Sequence, residues 1–143
     1  MNAEIISIGT ELLLGHILNT NTAFLSQRLA EAGIDVYNTS VVGDNPQRMI
    51  EAITHALKRS DIIITTGGLG PTVDDITIQT IAKFIGRKLV LNRTVLKDLK
   101  YYFKLRKAKL PAATIRQAYI PEGIQWGPKY GRDSARPHNG LEN

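Results

Sequence analysis

The chain contains no cysteine, which excludes disulfide bonds, thiolate catalysis and cysteine-ligated zinc. It has no apolar run that approaches the ~18 residues of a membrane-spanning helix. Its first residues also lack the basic and apolar regions of a signal peptide. These absences favour a cytoplasmic protein that has no membrane partner.

The 143 residues that are present suit one domain with a core of its own, and 43% of them are hydrophobic, as in ordinary soluble proteins. The net charge of +5 fits either nucleic acid or an anionic small molecule as the partner. Most of the clustered basic residues lie in or just after a predicted helix at 93–107, among aromatic residues. The members are Lys97, Lys100, Lys104, Arg106, Lys107 and Lys109, with Tyr101, Tyr102 and Phe103. A helix with a solvated basic face and an aromatic core side explains this pattern best, so nucleic acid is not an expected partner.

Apolar runs and helical spacings alternate along the first 90 residues. Strands are predicted at 3–9, which is rich in isoleucine, and at 34–42 and 61–66, the first and third of them fully buried, with a loop at 10–19. Helices are expected from Thr20 or Asn21, from Pro46 and from about Asp75, followed by a short strand at 88–91, the helix at 93–107 and a strand at 115–120. The predicted inward faces of the helices are Leu25, Leu29 and Ala32; Ile50, Ile53 and Leu57; Ile78, Ile81, Ala82 and Ile85; Val95, Leu99 and Tyr102. This order predicts an α/β layered fold with a mostly parallel sheet.

Ligands of parallel α/β sheets bind outside the carboxyl ends of the strands. Three polar loops are expected at that edge, at 9–21, 43–45 and 65–75. The third loop carries Gly67, Gly68 and Gly70 between a strand and a helix, flanked by Thr66 and Thr72. Exposed backbone N–H groups and a helix N-terminus favour an anion, so this loop is predicted to hold a phosphate-bearing ligand. The alternative is a tight turn that requires several glycines.

Four acidic residues are expected at the same edge, namely Glu11, Asp44, Asp74 and Asp75. Helix capping explains an acid at the start of a helix. Beside an anion site, however, a carboxylate is better explained by a divalent cation that bridges it to phosphate, or by a role as general base. Both interpretations stay open from the residue types alone.

The first loop supplies further candidates for ligand binding. Glu11 follows Gly9 and Thr10, and it could anchor a ligand or pair with a basic residue. Asn19 and Asn21 could form hydrogen bonds with a base or a ribose, or could cap the following helix.

Four motifs, taken together, resemble one family. They are Gly-Thr-Glu-Leu-Leu-Leu-Gly at 9–15, Asn-Thr-Asn at 19–21, Val-Val-Gly-Asp-Asn at 41–45 and Thr-Gly-Gly-Leu-Gly-Pro-Thr-Val-Asp-Asp at 66–75. In this order they resemble the N-terminal domain of the CinA (competence/damage-inducible) family, which lies within the MoaB/Mog-like molybdopterin-binding superfamily. The resemblance extends over about residues 3–126, and it includes Arg116-Gln117-Ala118 and the segment 120–123.

The resemblance implies a three-layer α/β/α molybdopterin-binding fold, with homo-oligomers in the intact family domain. It implies metal-dependent hydrolysis of ADP-ribose or a related nucleotide pyrophosphate or, alternatively, binding of molybdopterin. By position, Asp44 and Asp75 match the acids of the superfamily site and are the implied metal ligands, and with Asp74 they form the implied catalytic set. Gly67, Gly68 and Thr72 match the phosphate loop. Asp74 stands where the cofactor enzymes carry a basic residue, which favours holding the anion through a cation.

The resemblance covers a domain at 1–127 and stops at a polar tail, 128–143. The family continues with Gly-Thr-Ala-Pro-Gly, and codons compatible with this tail encode that segment when they are read one base further on. We therefore hypothesise that the tail is translated out of frame. The domain would then lack its last strand and helix.

Overall fold

The structure, a computed structural model, describes residues 1–125 and 127. Its strands are β1 (Asn2–Ile8), β2 (Asp35–Val42), β3 (Ile62–Thr66), β4 (Leu89–Leu91) and β5 (Tyr119–Pro121). Its helices are α1 (Thr10–Leu13), α2 (Thr20–Glu31), α3 (Pro46–Ala56), α4 (Thr77–Phe84) and α5 (Arg93–Leu105), and a 3₁₀ helix spans Ala112–Ala118. The predicted tail lies outside the described residues.

The isoleucine-rich first strand forms the centre of a three-stranded parallel sheet in the order β2-β1-β3. Ile8 pairs with Val42, and Ser7 pairs with Thr66, so the carboxyl ends of the three strands lie level. Since β2 and β3 follow on opposite sides of β1, the strand order reverses at β1. A separate antiparallel pair joins β4 to β5.

Helices cover both faces of the sheet, which confirms the predicted three layers. Ile6 and Ile8 pack with Met49 and Ile53 of α3 in the main apolar cluster, and α4 packs against the same cluster. Successive strand residues point to opposite faces. Ser7 therefore faces the other side, where its hydroxyl lies 2.9 Å from the hydroxyl of Thr22 in α2.

Asparagine side chains begin three of the helices by accepting a backbone N–H of the first turn. Asn19 accepts from Thr22 in α2, and Asn45 accepts from Arg48 in α3, where Pro46 occupies the first turn. Asn92 accepts in the same way at the start of α5. Asn19 thus caps α2, which was one of the predicted alternatives for this residue, whereas capping by Thr20 or Asn21 is wrong.

Several predicted boundaries are also wrong. Part of the predicted loop at 10–19 forms the short helix α1, and α4 begins at Thr77 rather than at Asp75. The predicted strand at 115–120 is mostly the 3₁₀ helix, with β5 beginning only at Tyr119. Helix α5 ends at Leu105 rather than at residue 107.

The predicted burial also needs correction. Every residue of β3 is only partly buried, because within the described sheet this strand pairs with β1 on one side alone. Leu57, Ile85 and Tyr102 were expected to face inward and are exposed, whereas Met49 and Ala56 are fully buried. Tyr101 is exposed as well, so the aromatic side of α5 is only partly a core side.

A buried ion pair joins β1 to the segment after α3. The Glu4 carboxylate is 1% exposed and accepts from the Arg59 guanidinium at 2.9 Å (Nε) and 2.7 Å (Nη2). The hydroxyls of Ser40 and Ser60 donate to the same carboxylate at 3.3 and 3.4 Å. Hydrogen bonding from Arg59 holds the pKa of Glu4 below its ordinary value, although burial opposes this effect.

Within the described residues, no helix has both the length and the apolar character needed to cross a membrane.

Candidate functional site

The loops after β1, β2 and β3 meet at one edge of the sheet, as the sequence predicts. The backbone N–H of Gly9, at the end of β1, donates to the carbonyl of Val42 in β2 at 2.9 Å. The side-chain amide of Asn21 donates to the hydroxyl of Thr66, at the end of β3, at 3.2 Å. These contacts bring the first loop against the second and third.

Asp44 binds the start of α1 from a neighbouring loop. Its carboxylate accepts from both the backbone N–H and the hydroxyl of Thr10, each at 2.9 Å. The Thr10 hydroxyl in turn accepts from the backbone N–H of Asp44 at 3.2 Å. Asp44 therefore supplies the negative charge that a helix N-terminus favours, but across two loops instead of within one helix.

Both the oxygen and the nitrogen of the Asn19 side-chain amide form hydrogen bonds within the protein. Besides capping α2, it donates to the buried hydroxyl of Ser7 at 2.9 Å. Asn21 and Glu11, in the same segment at 9–21, are exposed. The exposed side chains of Asn21 and Glu11 can therefore still contact a ligand, whereas the Asn19 side chain holds the loop together.

The glycine loop lies directly on the protein's own backbone. Gly67 and Gly68 have φ values of +96° and +58°, which side chains rarely adopt. A Cβ atom at Gly67 would lie 1.9 Å from the carbonyl oxygen of Ile8, and one at Gly68 would lie 2.3 Å from the Thr77 hydroxyl. The hydroxyl of Thr77 also donates to the Gly67 carbonyl at 2.9 Å. These two glycines are therefore required by close packing on β1 and α4, whichever ligand the loop holds.

Asp75 folds back onto the same loop. Its carboxylate accepts from the backbone N–H of Thr72 at 2.8 Å and from the Thr72 hydroxyl. The hydroxyl is the main reason that the pKa of Asp75 lies below its ordinary value, and the Gly70 backbone N–H and the charge of Arg116 contribute. Helix α4 starts after Ile76 without a side-chain cap, so Asp75 braces the loop and does not cap the helix.

Two residues of the 3₁₀ helix reach the glycine loop and were not predicted as site residues. The side-chain amide of Gln117 donates to the Leu69 carbonyl at 2.9 Å. The Arg116 guanidinium donates to the Thr72 carbonyl at 3.4 Å, and it lies 3.1 Å from the side-chain oxygen of Gln79 in the amide orientation that satisfies both groups. About 40 residues separate these partners, and no local pattern in the sequence indicates the contact.

A cleft lies on each side of the glycine loop. The first, between the ends of β1 and β3, is lined by Ile8, Glu11, Leu12, Ile17, Leu18, Asn19, Thr20, Asn21, Thr66 and Gly67. The second, between the glycine loop and the 3₁₀ helix, is lined by Gly68, Leu69, Gly70, Asp75, Ile78, Gln79, Arg116, Gln117 and Tyr119. We call them the strand cleft and the helix cleft. Eight of the thirteen predicted site residues line one of them; Gly9, Thr10, Asp44 and Thr72 bind around them, while Asp74 is exposed on the loop.

The predicted acids do not gather into one metal-binding cluster. Across residues 1–125, no group of three or more histidine, aspartate or glutamate side chains is arranged to hold a metal ion. Asp44 and Asp75 each already accept two hydrogen bonds from a threonine. The donor set therefore does not fit a metal held by protein ligands alone. It fits a cation such as Mg²⁺, which commonly binds one or two carboxylates together with substrate phosphates.

Comparison with known proteins gives one consistent result. Residues 4–129 match the family described as "Probable molybdopterin binding domain". A CinA-like protein of Kosmotoga olearia is 57% identical over 123 residues, which is 86% of this chain and 30% of the relative. A CinA-like protein of Dictyoglomus thermophilum is 52% identical over 132 residues, which is 89% of this chain and 32% of the relative. The chain thus spans about a third of the length of these curated relatives.

Solved structures agree with these relatives. The crystal structure of the protein CinA from Thermoplasma acidophilum is 37% identical, with a TM-score of 0.74 over 85% of this chain and 70% of that one. The tungsten cofactor synthesizing protein MoaB from Pyrococcus furiosus shares the fold at 16% identity, with a TM-score of 0.59 over 82% of this chain and 86% of that one.

Proposed function

Because the chain belongs to the family of CinA-like molybdopterin-binding domains, we propose that it binds a phosphorylated small molecule of the ADP-ribose type at the glycine loop. The supporting observation is the position of the strand cleft. It opens between the ends of β1 and β3, where the strand order reverses, and such switch points are where open α/β sheets bind ligands. Thr66 and Gly67 line this cleft together with Glu11 and Asn21.

The same site supports hydrolysis of a nucleotide pyrophosphate. In this reaction water adds to one phosphorus atom and the bridging P–O bond breaks, so ADP-ribose yields AMP and ribose 5-phosphate, and two protons are released when both products are dianions. A divalent cation bound together with the pyrophosphate would neutralise its charge and favour attack by water. One or two of Asp44, Asp74 and Asp75 would hold this cation together with the phosphate of the ligand, and one carboxylate would accept the proton from water. Asp74 is exposed on the loop and can turn towards the ligand.

Turnover of ADP-ribose by the full chain tests this proposal. We expect AMP to form in the presence of Mg²⁺ or Mn²⁺ and not in the presence of EDTA. The variant Asp74→Asn should lower turnover without changing the urea midpoint, because its side chain is exposed. Binding of ADP-ribose without turnover under any metal condition would refute hydrolysis and retain the binding function. An absence of binding would refute both.

Molybdopterin is the second candidate ligand, because the helix cleft has a lining that would also accept a pterin ring. Leu69, Ile78 and Tyr119 supply apolar and aromatic surface there, beside the amides of Gln79 and Gln117. Such a lining suits a planar heterocycle, which pterins and adenine both contain. Fluorescence titration with a pterin separates the two candidates, because a nucleotide-specific site predicts no tight pterin binding. Tight pterin binding that ADP-ribose does not displace would favour the cofactor ligand.

A further inference from the structure

The phosphate loop is partly filled by the protein's own acid. The backbone N–H and the hydroxyl of Thr72 both donate to the carboxylate of Asp75, so these two donors are engaged before a ligand arrives. A phosphate that approached this half of the loop would also meet the negative charge of Asp75. Some other group has to supply positive charge if the helix cleft is to receive an anion.

The 3₁₀ helix brings a cation to this place. Among the nine residues that line the helix cleft, Arg116 alone is basic. The Gln117 amide, bound to the Leu69 carbonyl at 2.9 Å, fixes the helix against the glycine loop. Arg116 is therefore held beside the loop by its neighbour in the chain, although its own side chain is exposed.

The present contacts of Arg116 leave its guanidinium able to bind a ligand. Its hydrogen bond to the Thr72 carbonyl is long, at 3.4 Å, and the guanidinium carries five N–H donors in all. Arg116 and Asp75 line the same cleft, and the charge of Arg116 contributes to the lowered pKa of Asp75, so the guanidinium partly offsets that carboxylate. A planar guanidinium can bind two phosphate oxygens at once.

From these contacts we propose that Arg116 binds a phosphate group of the ligand in the helix cleft, with Gln117 as the residue that positions it. The proposal rests on the proposed function, since it concerns the same phosphorylated ligand. The proposal adds to the binding site a side chain that lies outside the loops at the sheet edge. The bound ligand would then reach from the strand cleft across the glycine loop into the helix cleft.

Calorimetric titration with ADP-ribose in EDTA, which prevents metal-dependent turnover, tests the role of Arg116. Removing a charge-assisted hydrogen bond should weaken binding by about ten- to a hundredfold in Arg116→Ala at low salt. Arg116→Lys should recover part of this loss, because it retains the charge but not the two-pronged geometry. The control is Arg28→Ala, which removes the same charge from an exposed pair with Glu31 in the last turn of α2 and should not change binding.

Salt dependence separates ligand binding from mere bracing of the loop. If Arg116 contacts the phosphate, the affinity ratio between the wild type and Arg116→Ala should fall between 0.05 and ~0.5 M NaCl, because salt screens an exposed charge contact. Equal affinities of the wild type and Arg116→Ala would overturn the inference and leave the proposed function intact. The inference would also be overturned if Arg116→Ala and Arg116→Lys bound ADP-ribose equally weakly and the affinity ratio between the wild type and Arg116→Ala did not change with salt. Bracing of the loop by Arg116 would then explain the loss of affinity. A wild type that binds ADP-ribose neither in EDTA nor in the presence of Mg²⁺ would overturn the inference together with the proposed function.

Discussion

Removal of the Arg59 side chain should destabilise the protein more than removal of any comparable surface arginine. The Glu4 carboxylate is 1% exposed and receives two guanidinium hydrogen bonds, so Arg59→Ala leaves a buried charge with two weaker hydroxyl donors. Breaking a fully buried pair costs about 3–5 kcal/mol. The Arg59 side chain is itself 50% exposed, so water can enter where it was. We therefore expect a loss of about 2–3 kcal/mol.

Urea unfolding followed by circular dichroism at pH 7 measures this loss. Arg28→Ala is the matched control. Its ion pair with Glu31 is exposed on both sides, at 63% and 62%, and such pairs contribute about 0–1 kcal/mol. Equal losses in the two variants would refute the argument that burial of Glu4 sets the magnitude.

The pH dependence supplies a second check on the same pair. The pKa of Glu4 is lowered from 4.5 in the folded protein, chiefly by the hydrogen bonds from Arg59. A lowered pKa means that the stabilisation is complete above the unfolded pKa and is lost as the pH falls through the folded one. The difference in unfolding free energy between the wild type and Arg59→Ala should therefore shrink below about pH 4.5. A difference that stays constant down to about pH 3 would contradict this assignment.

Three further outcomes are expected. Gly67→Ala should lower the free energy of unfolding in urea by at least about 3 kcal/mol, because its Cβ atom would meet the backbone of β1 at a positive φ. Gly15→Ala is the control: its φ is +70° with open space around it, so it should show only the backbone strain of about 1–2 kcal/mol. Equal costs would show that the close approach is relieved. Thr72→Val should raise the pKa of Asp75 in an NMR titration, since the lost hydroxyl favours the ionised carboxylate, and an unchanged pKa would assign that effect to the backbone. Sequencing of the coding DNA should find codons at 128–139 that encode Gly-Thr-Ala-Pro-Gly in the next frame; codons that cannot do so would disprove the out-of-frame tail.

Asp75 changes how the glycine loop is understood. The sequence suggests that carboxylates beside an anion site are explained by a cation. In the structure, the carboxylate of Asp75 accepts hydrogen bonds from the loop, so these donors are engaged without a ligand. A phosphate must then bind the remaining backbone N–H groups, a shared cation, or a basic side chain from another element. Because Asp75 and a ligand phosphate would compete for the same donors of Thr72, we expect Arg116 to supply the positive charge that binds the phosphate.

Local patterns in the sequence determined the parallel strands, the order of strand and helix, and the glycine loop with its flanking threonines. Each of these depends on neighbouring residues: an apolar run forms a buried strand, and glycines allow positive φ at a tight turn. The resemblance to the CinA family could be read from the sequence for the same reason, because each of the four motifs is a short continuous segment of the chain. The sequence left Asn19 with two roles, ligand binding or capping of α2, and the structure shows the capping.

Only the tertiary structure decided which side chains share a cleft. Asp44 bonds to Thr10 across 34 residues, and Arg116 reaches Thr72 across 44 residues, where no spacing rule applies. The tertiary structure also decided that residue 67 must be glycine, because a Cβ atom there would clash with the carbonyl oxygen of Ile8. Such a close approach depends on how the loop packs against β1. Contacts of this kind arise when distant segments pack together, so they appear in the fold and not in the sequence pattern.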